Sequence, residues 1–245
     1  MPETKSSWKR LYLAGAIAAL LAAVLFRRNI GAEVSLFTGV EAIPTSVVDW
    51  YALLQSCPWL GLSFLAVFDI VNYVLVGLIL LALGAVFWPA HKSTAVIALA
   101  SGLVGIAVSF ASNISLSMLS LSKQYAAVTT VAQKDALLAA GQSLLSTNDP
   151  LATWPGTGAY VSLLLIAAAG LLFSIAMLRT RRFNRATAIV GILASGCDLA
   201  YGLILAFAPF LRAPLLAAGG LFWVIWHLLV GLQLLRLARD GEHLG

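Results

Sequence analysis

The chain has 245 residues, 61% of them hydrophobic and 10% charged, with a mean hydropathy of +0.95 and a formal net charge of +5. A soluble domain carries roughly 25% charged residues, so the composition excludes an ordinary soluble fold and predicts an all-α polytopic membrane helix bundle, residues 1–245 forming a single six-helix domain. Strand-like alternation is absent, and the positive charge forms no nucleic-acid footprint.

The first predicted element is a transmembrane helix over Leu11–Phe26. Its 16 apolar residues are few for a span and could be read as a secretory signal. Arg27 and Arg28 follow it directly, however, with no small-residue cleavage site, which predicts a retained helix. The connection to Pro58 contains "PTSVVDWYALLQSCP". Ser46 with Asp49 three residues later is a helix-capping signature. Val47, Trp50, Tyr51 and Leu54 then share one face, which predicts a short amphipathic helix on the membrane surface.

The second span is predicted over Leu60–Trp88, with Asp69, Asn72 and Tyr73 on one face at i, i+3 and i+4. The third is predicted over Ala95–Leu121, with Ser109, Asn113, Ser117 and Ser120 in a stripe. The next connection carries a capping box at Thr130 and Gln133. Leu137, Leu138, Gly141, Leu144 and Leu145 follow on one face, which predicts a second short amphipathic helix over part of the bundle mouth. "STNDP" ends it and "WPGTG" returns the chain to the membrane.

The remaining spans are predicted over Thr157–Leu178, Ala186–Ala208 and Pro214–Leu235. The fifth carries a stripe of Gly191, Ser195, Asp198 and Gly202, and the sixth aligns Trp223, His227 and Gly231. Trp223 and Trp226 lie too deep for an interfacial belt and are expected to line the core or a pocket wall. Runs such as "LAAGGLFWVIW" supply the small residues that let membrane helices approach closely. Cys57 and Cys197 form no CxxC pair, which sets aside thiol-redox chemistry and a structural zinc site.

Two segments in order, "LSKQYAAVTTVAQKDALLAAGQSLLS" and "GTGAYVSLLLIAAAGLLFSIAMLRTRRFNRATAIVGILA", resemble the central signature of a bacterial membrane family known as domain of unknown function 4386. The likeness covers roughly Asn113 to Ala194. It implies a six-helix architecture and no activity, and it brings no catalytic residues to carry over.

Orientation follows from Lys and Arg. Ten lie on the side of the two termini and the second-to-third and fourth-to-fifth connections, against five on the other. The excess predicts both termini in the cytoplasm and both long connections facing outward.

Ionisable groups at membrane depth are functional candidates by default. At 1.5 Å rise per residue, Asp69 lies about 13 Å, Asn113 about 12 Å, Asp198 about 15 Å and His227 about 20 Å from the outer boundary. One polar layer on four helices is thus expected, with His227 or Asn113 as partners for Asp198. The predicted site is an outward-facing pocket lined by Asp69, Asn72, Asn113, Asp198, Tyr201 and His227, binding a small amphipathic molecule or a membrane lipid. The alternatives are a non-catalytic scaffold or accessory subunit, a proton-coupled transporter, or an intramembrane hydrolase built on Ser195 and His227. No cofactor is expected: a haem wants two ligands where one histidine lies at depth, and a retinal needs a buried lysine; a membrane zinc hydrolase needs three or so His and Asp ligands, which Asp69, Asp198 and His227 would just supply, but a lone histidine speaks against it.

Overall fold

The computed structural model describes residues 8–37, 44–147, 156–180, 182–204 and 207–240. Among these the regular structure is helical, without a strand. The helices are α1 (Lys9–Phe37), α2 (Val47–Ser56), α3 (Pro58–Phe64), α4 (Val67–Phe87), α5 (Lys92–Ser112), α6 (Ser115–Ala127), α7 (Val131–Thr147), α8 (Thr157–Leu178), α9 (Arg185–Ile204) and α10 (Arg212–Asp240), with a 3₁₀ turn at Pro209–Leu211.

Six of these helices close a ring. Each packs on the next in the order α1, α4, α5, α8, α9, α10, and α10 returns to α1. The ring core combines small and bulky apolar residues, among them Ala16, Ala19 and Ala82 beside Phe87, Phe173 and Leu234. Close approach rests on glycine at two seams. A Cβ at Gly105 of α5 would meet Ile166 and the Ser162 carbonyl of α8, and one at Gly231 of α10 would meet Leu20 and the Ala16 carbonyl of α1. Helices drawn together in lipid gain van der Waals contact in this way, because hydrocarbon offers no hydrophobic drive.

The outer surface of the ring is apolar as well. Leu13, Ile17, Leu21 and Val24 form an exposed stripe on α1, and Ile97, Val104, Ile189, Leu193, Leu228 and Leu232 are exposed on other ring helices. A surface of this kind belongs in a bilayer. Five segments are long and apolar enough to cross one: Val67–Phe87, Lys92–Ala127, Thr157–Leu178, Arg185–Ile204 and Pro214–Arg239.

The remaining helices build a second tier at one end of the ring. α2 packs on α3, α6 and α7, and α3 leads into α4. Val47, Trp50, Tyr51, Leu54, Met118 and Leu145 form its core. The Tyr51 hydroxyl donates to the Leu137 carbonyl at 2.8 Å, and Gln55 Nε2 donates to the Ser122 carbonyl at 2.9 Å. Both capping signatures are formed. Ser46 Oγ accepts from the Asp49 amide at 3.1 Å, and Thr130 Oγ1 accepts from the Gln133 amide at 3.4 Å. At the opposite end of the ring, Arg182 donates to the Val86 carbonyl at 3.1 Å, and Phe183 stacks on Phe87. A cation at the C-terminus of α4 complements the helix dipole there.

Three expectations are corrected. α1 runs on past Phe26 to Phe37. The continuous helix expected over Leu60–Trp88 is broken at Leu65–Ala66, where Ala66 adopts a left-handed conformation at φ 60°. The helix expected over Ala95–Leu121 is broken at Asn113–Ile114. The two breaks are joined: Asn113 Nδ2 donates to the Ala66 carbonyl at 3.1 Å, and Asn113 Oδ1 accepts from the Ser115 amide at 3.1 Å. Asn113 thus satisfies backbone groups that the interrupted helices leave open. "STNDP" ends α7, whose last residue is Thr147; residues 148–155, together with the side chains of Arg27 and Arg28, lie outside the described residues.

Candidate intramembrane pocket

A cavity of about 220 Å³ lies inside the ring, at the end that carries the second tier. α4 forms one wall with Asp69, Asn72, Tyr73, Val76, Ile79 and Leu80. The facing walls come from Leu163, Ile166 and Gly170 of α8, from Asp198 of α9, and from Leu216, Gly220, Trp223, Trp226 and His227 of α10. From Asp69 to Leu80 the cavity follows α4 for about 16 Å, at 1.5 Å per residue.

The helical phase explains this lining. Asp69, Asn72, Tyr73, Val76 and Leu80 recur at three- and four-residue intervals, so one stripe of α4 faces inward. Trp223, Trp226 and His227 do the same on α10, where Trp226 meets both Trp223 and His227 edge-on. Gly170 is the point where α8 gives way to the indole: a Cβ there would meet Trp223 Cη2 and Ser195 Oγ. Gly219 plays the same part for the carboxylate, since a Cβ there would stand 3.0 Å from Asp198 Oδ1.

The polar groups fall into two sets. Asp198 Oδ2 accepts the Trp223 indole N–H at 2.7 Å. His227 Nδ1 lies 2.7 Å from the Trp223 carbonyl, so the histidine is anchored to its own helix one turn away. Asp198 and His227 therefore share Trp223 between them. Tyr73 stands near both Asp69 and Asp198, with Ser109 and Ser162 beside its hydroxyl. The second set is buried without partners. Asn72 is 3% exposed, and its Oδ1 makes no hydrogen bond among the described residues. Ser195 Oγ and Trp226 Nε1 are in the same position. An unmet buried acceptor or donor costs about 1–3 kcal/mol, so a polar molecule reaching Asn72 would recover free energy.

Four of the six expected pocket residues, Asp69, Asn72, Asp198 and His227, line this one cavity. Two are corrected. Asn113 is absent from the lining because the break in the third span turns it to the Ala66 carbonyl. Tyr201 is buried at 7% exposure on α9 but lies outside the lining. It stands three residues, nearly one full turn, beyond Asp198. The partner expected for Asp198 is also corrected from Asn113 or His227 to Trp223. A depth count gives a signal for that pair: Trp223 lies nine residues into the sixth span, about 14 Å down, level with Asp198. An indole is neither ionisable nor an amide, so the residue types that mark a polar layer in an apolar sequence leave it out.

The arrangement bears on the other chemistries too. Ser195 Oγ makes no hydrogen bond to His227, so the pair does not form a nucleophile and base in contact. Among the described residues no three His, Cys, Asp or Glu side chains come together to hold a metal ion. Among the described residues the lining includes none of α2, α3, α6 or α7, so the second tier neither floors nor walls the cavity.

No protein-family model matches this chain, and no match to it is found among curated proteins or among solved structures.

Proposed function

We propose that this is a cytoplasmic-membrane protein of six spans, α1 being the sixth, that binds a small amphipathic molecule or lipid in an outward-facing polar pocket. Both termini are cytoplasmic in this reading, and the second tier lies at the outer surface with α2 and α7 as amphipathic helices along the interface. The Lys and Arg asymmetry supports the orientation. The likeness of Asn113–Ala194 to domain of unknown function 4386 agrees with six helices and adds no reaction.

The observation that carries the reading is the cavity itself. Two carboxylates, a buried amide and a histidine border about 220 Å³ of space, alongside apolar side chains. Groups that served only to hold helices together would be packed in direct contact and leave no such void. A concave site, mostly apolar with a few convergent polar groups, is the ordinary form of a small-molecule site.

Native mass spectrometry of the protein purified in mild detergent tests it. The expected result is a co-purified molecule of defined mass, lost in Val76→Trp, which fills the cavity, while that variant keeps its helical content. A bare protein mass from every membrane extract would end the reading.

A further inference from the structure

We propose that the seam between α9 and α10, on the outside of the ring and away from the cavity, binds an anionic phospholipid whose phosphate is held by Arg185 and Arg236. The two termini and the α4–α5 and α8–α9 connections carry ten Lys and Arg against three carboxylates, Glu3, Asp240 and Glu242. A positive excess therefore stands at this end of the ring whatever pairs form. The anion that a bilayer supplies at its surface is a lipid phosphate, and each Lys or Arg beside it raises affinity roughly fivefold.

One bond sets the register across the seam. The Asn184 amide donates to Gln233 Oε1 at 3.2 Å, tying the turn before α9 to the last part of α10. The two helices pack on each other and run in opposite directions. Arg185 lies one residue to the membrane side of that bond, and Arg236 three residues to the other side. At 1.5 Å per residue their Cα atoms differ in level by about 6 Å, a gap that long arginine side chains bridge. Both are exposed. A phosphate between them meets two planar forks of N–H donors, the side chain best matched to its oxygens.

Each arginine heads an apolar stripe. On α9, Arg185, Ile189 and Leu193 recur at four-residue steps, and on α10, Arg236, Leu232 and Leu228 do so in the opposite direction. The four apolar members are exposed. Ile189 and Leu228 each lie five residues inward of the Asn184–Gln233 bond, so the two stripes are level. Gly196 carries the α9 stripe nearly one turn deeper, and nothing lies within 4 Å of its Cβ position, which leaves a shallow trough there. From Arg185 to Gly196 the stripe runs about 17 Å, close to the roughly 15 Å of hydrocarbon in one leaflet. A free phosphate would use the cations alone. A phospholipid uses the cations and the apolar stripes together.

Native mass spectrometry of the detergent-purified protein, titrated with phosphatidylglycerol and with phosphatidylcholine of the same chains, tests this. Phosphatidylglycerol is expected to bind at least about fivefold more tightly. Arg185→Gln and Arg236→Gln should each lower its affinity about fivefold and leave phosphatidylcholine unchanged, with native helical content. Either variant serves if the other does not fold. Lys92→Gln removes the same charge at the same end, on α5, where the ammonium lies 5.2 Å from the centre of the Trp88 ring, and it should change little. Equal affinity for the two lipids, or an equal loss in Lys92→Gln, would overturn the seam. Displacement of the lipid by inorganic phosphate at matching concentration would make the ligand a free anion and overturn it too. Val76→Trp, which fills the cavity, should keep phosphatidylglycerol binding, so the seam stands or falls apart from the pocket. Loss of binding in that variant would move the lipid into the cavity and overturn the seam.

Discussion

The Trp223 indole donates to Asp198 Oδ2 across 2.7 Å, joining α10 to α9 at the wall of the cavity. The bond answers the question that an aspartate raises in the apolar run "GILASGCDLAYG". A carboxyl in a bilayer must find a donor inside the bundle, and the neighbouring helix supplies an indole at matching depth. Trp223→Phe keeps most of the ring and removes the donor. Its expected cost is about 0.6–1.7 kcal/mol, the range for side-chain bonds between membrane helices. Asp198→Asn should cost less, since an amide oxygen still accepts. A double-mutant cycle on unfolding in bicelles measures the coupling, and an interaction energy near zero would refute the bond's contribution.

Gly219 lets the carboxylate sit where it does. A Cβ at that position would stand 3.0 Å from Asp198 Oδ1 and 3.3 Å from Cys197 Cβ. Gly219→Val should therefore force α9 and α10 apart at the cavity, at a cost of about 1–3 kcal/mol for overpacking. Gly196 is the control, because nothing lies within 4 Å of its Cβ position. Gly196→Val should change the melting temperature little. Equal loss in both variants would show that helix propensity, and not the contact, dominates.

Ala66 holds φ 60° and ψ 35° between α3 and α4. A residue with a Cβ loses roughly 1–2 kcal/mol in that region. Ala66→Gly should stabilise the protein by about 1 kcal/mol in chemical unfolding, and Ala66→Val should destabilise it by more. A destabilised glycine variant would mean that the break is imposed by something other than this conformation.

Tyr51 sits buried in the second tier with its hydroxyl on the Leu137 carbonyl. Burial pushes its phenol above the usual value of 10.0, and the neighbouring Tyr125 adds to the shift. The neutral form is the one the fold favours. The stability it contributes is fully present below pH 10.0 and is lost as pH rises through the higher folded value. The difference in phenolate absorbance between wild type and Tyr51→Phe should titrate above pH 10.0, with hydrogen exchange in α2 showing no loosening below it. A difference curve centred at or below 10.0 would contradict the buried setting.

Cys57 is exposed at the junction of α2 and α3, whereas Cys197 is half-buried on α9. With the proposed orientation, an impermeant maleimide should label Cys57 on intact cells. In a Cys57→Ser background, a cysteine at Gln142 should label from outside, and one at Asn184 should need permeabilised cells. The reverse pattern would invert the protein and turn the pocket to the cytoplasm.

What the sequence decided by itself was local or compositional. Low charge and long apolar runs demand a bilayer, and a bilayer demands that backbone groups be satisfied within each segment, hence helices. The caps at Ser46 and Thr130 were legible because each involves a side chain and an amide three residues apart. The inward stripe of Asp69, Asn72 and Tyr73 was legible because helical phase follows from spacing alone.

What only the tertiary structure decided were the breaks and the partners. The interruptions at Ala66 and Asn113 lie in apolar sequence with no proline or glycine at the break, and each is stabilised by a residue about fifty positions away, through the Asn113–Ala66 bond. Depth counting assumed an unbroken helix, so it assigned Asn113 to a layer it does not join. Depth also carries no azimuth. Tyr201 and Asp198 are close in depth, yet the rotation of α9 in the ring presents only Asp198 to the cavity. Which side chain meets Asp198 depends on the closure of six helices around one space, with α10 packed on α9 at one edge and on α1 at the other. Periodicity along one helix is silent on that closure, because the contacts that fix each helix's rotation come from its neighbours.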